Sequence, residues 1–159
     1  MSFGDDDPRK MPGHFFWGNL GLDYTTARRA DISVQECTVA PRYWYIDARF
    51  RCAGCRAEFT WSAGEQKVWF ETYRFYVDAQ PTLCRECRTK RRDAVQLRKE
   101  YDALVSDARS HGTVEQKRRV VEILDELETY WRVLPEKMQL TREVFRKQLA
   151  KAEAPGESH

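Results

Sequence analysis

Cys52-Ala53-Gly54-Cys55 and Cys84-Arg85-Glu86-Cys87 decide how this chain of 159 residues is read. A Cys-x2-Cys turn lets two thiolates reach one ion without strain, and two such turns supply the four sulfurs of a closed tetrahedral zinc shell. The 28 residues between the pairs exceed the roughly 15 to 20 of the commonest arrangement, so the intervening segment must hold elements of its own. One structural Zn2+ held by Cys52, Cys55, Cys84 and Cys87 is the expectation. A thioredoxin-type redox pair fits less well, because it belongs among alternating strands and crossover helices and would leave the second pair unexplained. Disulfides need an oxidising compartment, and Met1 to Lys10, polar with Asp5, Asp6 and Asp7 in succession, holds no apolar stretch of signal-peptide length. Cys37, the fifth cysteine, reads as a small buried apolar residue.

Composition bounds the rest. A hydrophobic content of 42% excludes wholesale disorder, and no run of 18 apolar residues is present to cross a membrane. A soluble, cytoplasmic protein is expected. The net charge of +2 carries no argument as a total, so any acidic partner must be argued from where the charge sits.

Outward from the cysteines, Tyr43 to Phe50 and Ile32 to Val39 are rich in β-branched and aromatic residues and predict two strands, broken at Ala40-Pro41. In the second, Trp44, Ile46, Ala48 and Phe50 alternate with Tyr43, Tyr45, Asp47 and Arg49, which puts the purely apolar set on one core-facing side. Gly54 is expected to give the first knuckle the backbone conformation that points amides at the thiolates. Glu58 to Trp61 predicts a short return strand. Ser62-Ala63-Gly64-Glu65 is a capping box opening a helix of about ten residues, with Val68, Trp69 and Phe70 as its packing cluster. Phe75-Tyr76-Val77 reads as a brief extended piece. With Thr82 as N-cap, a long helix is predicted from Leu83 to Ala108, ending before His111-Gly112. Its stripe of Ala94, Leu97, Tyr101, Leu104, Val105 and Ala108 lies roughly opposite Arg85, Arg88, Arg92 and Lys99.

Upstream, residues 1–31 show no clear period and read as a partly flexible arm. Within them, His14-Phe15-Phe16-Trp17-Gly18-Asn19-Leu20-Gly21-Leu22 is too aromatic to leave in water and is expected to dock on the domain's own core. Downstream, Thr113-Val114-Glu115-Gln116 is a second capping box. Val120, Ile123, Leu124, Leu127, Trp131 and Leu134 follow at helical spacing, with Glu115/Arg119 and Glu128/Arg132 as pairs four apart on the wet side. Pro135 ends that helix, and Thr141 is expected to cap a last one, with Leu140 and Phe145 as its hydrophobic staple. The C-terminal helices should fold back onto the long helix. The sequence thus divides into the arm (1–31), a zinc-binding module with its strands and long helix (32–110), a helical hairpin (113–152) and a disordered tail (153–159).

A knuckle ending a hairpin and a second at a helix start make the layout of a treble-clef finger. Cys52-x2-Cys55-x3-Phe59-Thr60, then Ala63-Gly64-Glu65-Gln66, then Pro81-x2-Cys84-x2-Cys87-Arg88 resembles the bacterial probable zinc-ribbon treble-clef family over about residues 43 to 92. That family shows a phenylalanine after the first pair, a Glu-Gln dipeptide opening a short helix, and a Pro-x2-Cys-x2-Cys-Arg ending. The resemblance implies a zinc-binding module and no established activity. Tyr73-Arg74-Phe75 stands where a glycine-containing turn is usual. The fold class expected is α+β: a treble-clef zinc finger of hairpin, short helix and long helix, with the C-terminal helices packed as a small bundle.

Catalysis is not expected. Four thiolates close the zinc shell and leave no position for an activated water. Nuclease versions of the treble clef carry a histidine between the ligand pairs, whereas His14, His111 and His159 all fall outside that segment. A His-x-Glu deaminase motif and a phosphate-binding glycine loop are also missing, and no small-molecule substrate is indicated. Two non-catalytic uses remain. Arg85, Arg88, Arg92 and Lys99, beside exposed-looking aromatics such as Trp61 and Tyr73, suit RNA or single-stranded nucleic acid, since guanidinium groups pair with phosphate and rings stack on bases. From Arg42 to Glu100, 13 Lys or Arg stand against 8 Asp or Glu, a mild surplus that fits weak binding with little sequence preference. The alternative is a protein-protein adaptor using the aromatic arm and the C-terminal helices.

Overall fold

The structure, a computed structural model, describes residues 5–16, 21–37 and 39–154. The chain forms two compact units, one through Cys87 and the other from Arg88. No helix among the described residues is long and apolar enough to cross a membrane.

The first unit is built on a three-stranded antiparallel sheet in the order β1 (Asp23–Arg29), β2 (Trp44–Arg51), β3 (Glu58–Trp61). β2 and β3 stand where the sequence places them. The partner on the other edge of β2 is not Ile32 to Val39. There the Asp31 carboxylate accepts the Ser33 amide at 3.1 Å and the Ser33 hydroxyl at 2.5 Å, closing a 3-10 turn over Ile32–Val34. Glu36 keeps only an isolated parallel bridge to Tyr76. The true strand, β1, escapes a periodicity reading because it bulges: Asp23 lies opposite Asp47 and Arg28 opposite Tyr45, so the intervening β1 residues lose the two-residue alternation.

The arm docks, as its aromatics require. Asp7 caps a 3-10 turn over Pro8–Lys10 and a second turn covers Gly13–Phe16, so the N-terminal segment has structure the sequence did not announce. Met11, Phe15 and Phe16 are buried in one cluster with Ile46. Trp17 to Leu20 lie outside the described residues, as do Thr38 and the tail from Pro155. Because the arm covers one side of β2 while Tyr45 joins Trp61, Ala63, Phe70 and Val77 on the other, β2 is buried on both faces rather than on one. Arg42 links the two clusters. Its side chain is buried, its Nε donates to the Val77 carbonyl, and its guanidinium lies 5.9 Å from both the Phe15 and the Phe70 ring. Burial pulls that guanidinium down to about 10, with Asp78 working the other way.

After β3, Ser62 accepts the Glu65 amide at 3.1 Å and Asp47 takes the Ala63 amide at 2.6 Å, starting α1 (Ala63–Lys67). Gln66 is buried and its amide spans two strands: Nε2 donates to the carbonyls of Ile46 and Trp61, and Oε1 accepts the Ile46 amide. A π-turn over Val68–Thr72 continues α1, so the predicted ten-residue helix is half α and half π. Phe70 is buried, but Val68 is exposed.

That turn ends on Arg74, whose φ of 55° is left-handed. The Tyr73 amide donates to the Val68 carbonyl and the Phe75 amide to the Trp69 carbonyl, the closure that glycine usually allows after a helix end. A Cβ in this region costs on the order of 1 kcal/mol. Arg74→Gly should therefore raise the denaturant midpoint of the metal-loaded protein by an amount worth roughly 1 kcal/mol; an unchanged or lower midpoint would show that the arginine side chain offsets the strain.

The second unit gathers α2, which runs over Arg85–Ser110 and whose first turn belongs to the first unit, with α3 (Val114–Trp131) and α4 (Glu136–Glu153). Its core is the predicted stripe: Ala94, Tyr101 and Ala108 pack with Val120, Ile123, Leu124, Leu127, Leu134, Met138 and Phe145. Leu97, Leu104, Val105 and Trp131 lean on it, half-buried. Gly112 is required by space, because a Cβ there would stand 2.3 Å from the Ala108 Cα. Thr113 and Gln116 complete both halves of the capping box that starts α3.

Two details differ from expectation. The predicted pairs four apart are replaced by bonds between helices: Arg119 binds Glu100 at 2.7 and 2.9 Å, and Glu128 binds Arg142 at 2.6 Å. The neighbouring helix offers Arg119 the bidentate Glu100 carboxylate and Glu128 the bidentate Arg142 guanidinium, while Arg119 also keeps Glu122 on its own helix at 3.4 Å. The last helix starts at Glu136, not Thr141, with Pro135 as the cap residue whose fixed φ suits a helix entrance. Thr141 is interior and buried, giving its hydroxyl proton to the Lys137 carbonyl and accepting from Arg109. Leu140 is accordingly no staple and stands 56% exposed.

Candidate metal centre

The first knuckle hangs from the end of β2. The Cys52 amide donates to the Ala57 carbonyl at 2.9 Å and the Arg56 amide returns to the Cys52 carbonyl at 3.0 Å, a turn tight enough to force φ to 66° at Arg56. The left-handed residue is thus Arg56, not Gly54. Gly54 matters for room instead: a Cβ on it would lie 3.2 Å from Cys87 Sγ, 3.3 Å from Leu83 Cδ2 and 3.6 Å from Cys52 Sγ.

The second knuckle is tied to the first through the Ala53 amide, which donates to the Thr82 carbonyl at 2.8 Å. Thr82 is therefore a rung between knuckles and not the cap of α2. Cys84, immediately before the helix, takes the cap position, and its Sγ accepts the Cys87 amide at 3.4 Å. The sulfur that caps the helix is also one of the four that converge.

The four Sγ atoms of Cys52, Cys55, Cys84 and Cys87 all lie within 4.8 Å of one another, with Cys55 and Cys84 3.9 Å apart. A tetrahedral zinc-thiolate site with bonds of about 2.3 Å has sulfur-sulfur edges of about 3.8 Å, so this set fits a metal ion of that kind. Cys52 is buried, Cys84 and Cys87 are half-buried and Cys55 is exposed. The amides of Cys84 and Gly54 both reach Cys52 Sγ at 3.3 Å. These donors, the Cys84 amide foremost, pull the Cys52 thiol down to about 6. Cys87 is pushed up to about 12 by its hydrogen bonds to the sulfurs of Cys84 and Cys52 and by burial. A divalent cation held there would require the four sulfurs as thiolates.

Two knuckles, one closing a hairpin and the other opening a helix, with four sulfurs converging between them, settle the comparison with known proteins. Residues 46–96 match the probable treble clef domain family. The match takes in β2 from Ile46, β3, α1, both knuckles and the start of α2, close to the span the sequence resemblance gave. Residues 1–45 and 97–159 lie outside the match. No curated protein and no solved structure matches the chain.

The predicted basic residues all lie on α2. Arg85, Arg92 and Lys99 are exposed on α2, and Arg88 is half-buried. Of the aromatics expected beside them, Tyr73 is 60% exposed but Trp61 is wholly buried, because β3 turns it inward against Phe50, Trp69 and Phe70. Cys37 is exposed, not buried, in the loop that follows the Glu36 bridge, and stands apart from the four-sulfur cluster. Gln66 and Arg42 are the important residues the sequence reading passed over. Gln66 was visible only as half of a motif, and an arginine before a strand gives no sign that it will be buried.

Proposed function

We propose that this protein is a non-catalytic zinc module in which one structural Zn2+, held by Cys52, Cys55, Cys84 and Cys87, fixes the start of a basic helix that binds RNA or single-stranded nucleic acid. The zinc supplies cross-linking only: four thiolates complete its shell and leave no site for water or substrate. The observation that carries the nucleic-acid reading is a contrast among cations. Arg118, Arg119, Arg142 and Arg146 are consumed by carboxylates in the helical unit, whereas Arg85, Arg92 and Lys99 are exposed and make no ion pair among the described residues. Cations left without carboxylates along one helix face suit phosphates.

Binding of a short RNA by the metal-loaded protein should weaken steeply with added salt. Arg92→Ala with Lys99→Ala should flatten the slope by about two phosphate contacts and weaken all sequences alike. If neither RNA nor single-stranded DNA is bound at low salt, the reading is lost. The adaptor alternative has less to stand on in its original form, because Phe15 and Phe16 of the arm are buried in the protein's own core.

A further inference from the structure

The four sulfurs that converge are not equivalent. Cys52 is buried, and its Sγ accepts the Gly54 and Cys84 amides at 3.3 Å each. Cys84 is half-buried, and its Sγ accepts the Cys87 amide at 3.4 Å. The sulfurs of Cys55 and Cys87 accept no amide among the described residues. Burial then separates these two. Cys87 is half-buried, with Gly54 so near that a Cβ on it would lie 3.2 Å from the sulfur. Cys55 is exposed, in a run from Ala53 to Glu58 that is exposed throughout.

Both differences act in one direction. An amide donated to a thiolate holds its charge and dulls it as a nucleophile, and burial keeps reagents away. Cys55 is the one sulfur of the set that lacks both protections. A second cysteine stands beside it on the other knuckle, with Cys84 Sγ 3.9 Å from Cys55 Sγ. An exposed thiolate next to a further thiol is the arrangement in which a sulfenic acid resolves to a disulfide.

We propose that Cys55 is an oxidation site for hydroperoxides, with Cys84 as its resolving partner, and that the pair makes the metal centre redox-responsive. The inference rests on the four-thiolate zinc reading. The Cys55 thiolate attacks a peroxide oxygen: an S–O bond forms, the O–O bond breaks, hydroxide leaves, and the sulfur is oxidised to sulfenic acid as the peroxide is reduced. The Cys84 thiolate then attacks that sulfur, forming the S–S bond and expelling a second hydroxide. With the two joined, the centre keeps only the Cys52 and Cys87 thiolates, too few for a closed shell. A disulfide sulfur is also a poorer acceptor than a thiolate, so the Cys87 amide at the start of α2 loses its partner in the same step.

The test treats the native full chain, its zinc content first established by elemental analysis, with limiting hydrogen peroxide. Dimedone in the reaction traps sulfenic acid for peptide mapping. Without dimedone, non-reducing mapping locates the disulfide while a metallochromic dye follows released zinc. Within the four-sulfur set the first dimedone adduct is expected on Cys55, the disulfide is expected between Cys55 and Cys84, and one zinc should be released for each disulfide formed. A first adduct on Cys52, Cys84 or Cys87, no adduct within the set, a disulfide from Cys55 to Cys37, or zinc lost without the Cys55–Cys84 product overturns the proposal and leaves the zinc reading standing. A chain that holds no zinc before peroxide is added removes both.

Discussion

Stripping the metal with a chelator is expected to unfold the treble clef domain, with loss of the near-ultraviolet signal of its packed aromatics. A structural site of this kind contributes on the order of 10 kcal/mol of apparent binding free energy at neutral pH, against a total stability of about 5 to 15 kcal/mol for an ordinary domain. The two knuckles are otherwise joined by few bonds, among them the Ala53 amide to the Thr82 carbonyl and the amides aimed at Cys52 Sγ. Without an ion, the four-way cross-link is lost. Cys84→Ser should lose the metal and loosen the start of α2 together, because the same sulfur caps the helix. One metal per chain is expected by elemental analysis of the intact protein. Full loading of the serine variant, or an unchanged aromatic signal after chelation, would remove the four-cysteine assignment.

The second large effect lies in the helical unit. Leu124 is completely buried among Tyr101, Ile123, Leu127, Met138 and Phe145. Leu124→Asp forfeits roughly 2 to 3 kcal/mol of apolar burial and places a carboxylate where no partner is provided, so a total loss above about 4 kcal/mol is expected. The penalty carries its own pH signature. Burial raises the folded-state pKa of the new carboxyl above its unfolded value of about 3.9; the acid is neutral in both states below that value, and the charge penalty grows as pH rises from there through the folded pKa. The gap in melting temperature from the parent protein should therefore narrow in acid. A variant that melts like the parent at neutral pH would mean that the α3 stripe does not hold this core together.

The convergence of the four sulfurs was legible because ligand chemistry constrains spacing locally: two Cys-x2-Cys turns can be recognised before anything is known of the surrounding fold. The α3 and α2 stripes were legible for a similar reason, since Ala94, Tyr101, Ala108, Leu124 and Leu127 repeat within their own helices. What failed depended on a partner elsewhere in the chain. β1 is a strand only because bulged residues find β2, and Ile32 to Val34 turn away because Asp31 offers a nearer hydrogen bond. Trp61 was misjudged for want of the rings that enclose it. Thr141 had the right side chain for a cap, but Pro135, six residues earlier, already supplied the entrance.

The ring pair Trp61 and Trp69, 5.0 Å apart and inclined at 64°, has an optical consequence. Two indoles this close and neither parallel nor coplanar share their electronic excitations, and the coupled transitions add rotational strength of opposite signs to the far-ultraviolet circular dichroism. That contribution overlaps the helical bands of α2, α3 and α4, so ellipticity alone would misstate the helix content of the intact protein. It also vanishes when the pair separates, whether or not any helix melts, which makes Trp69→Phe a spectroscopic blank against which unfolding around the metal can be told from unfolding of the helices.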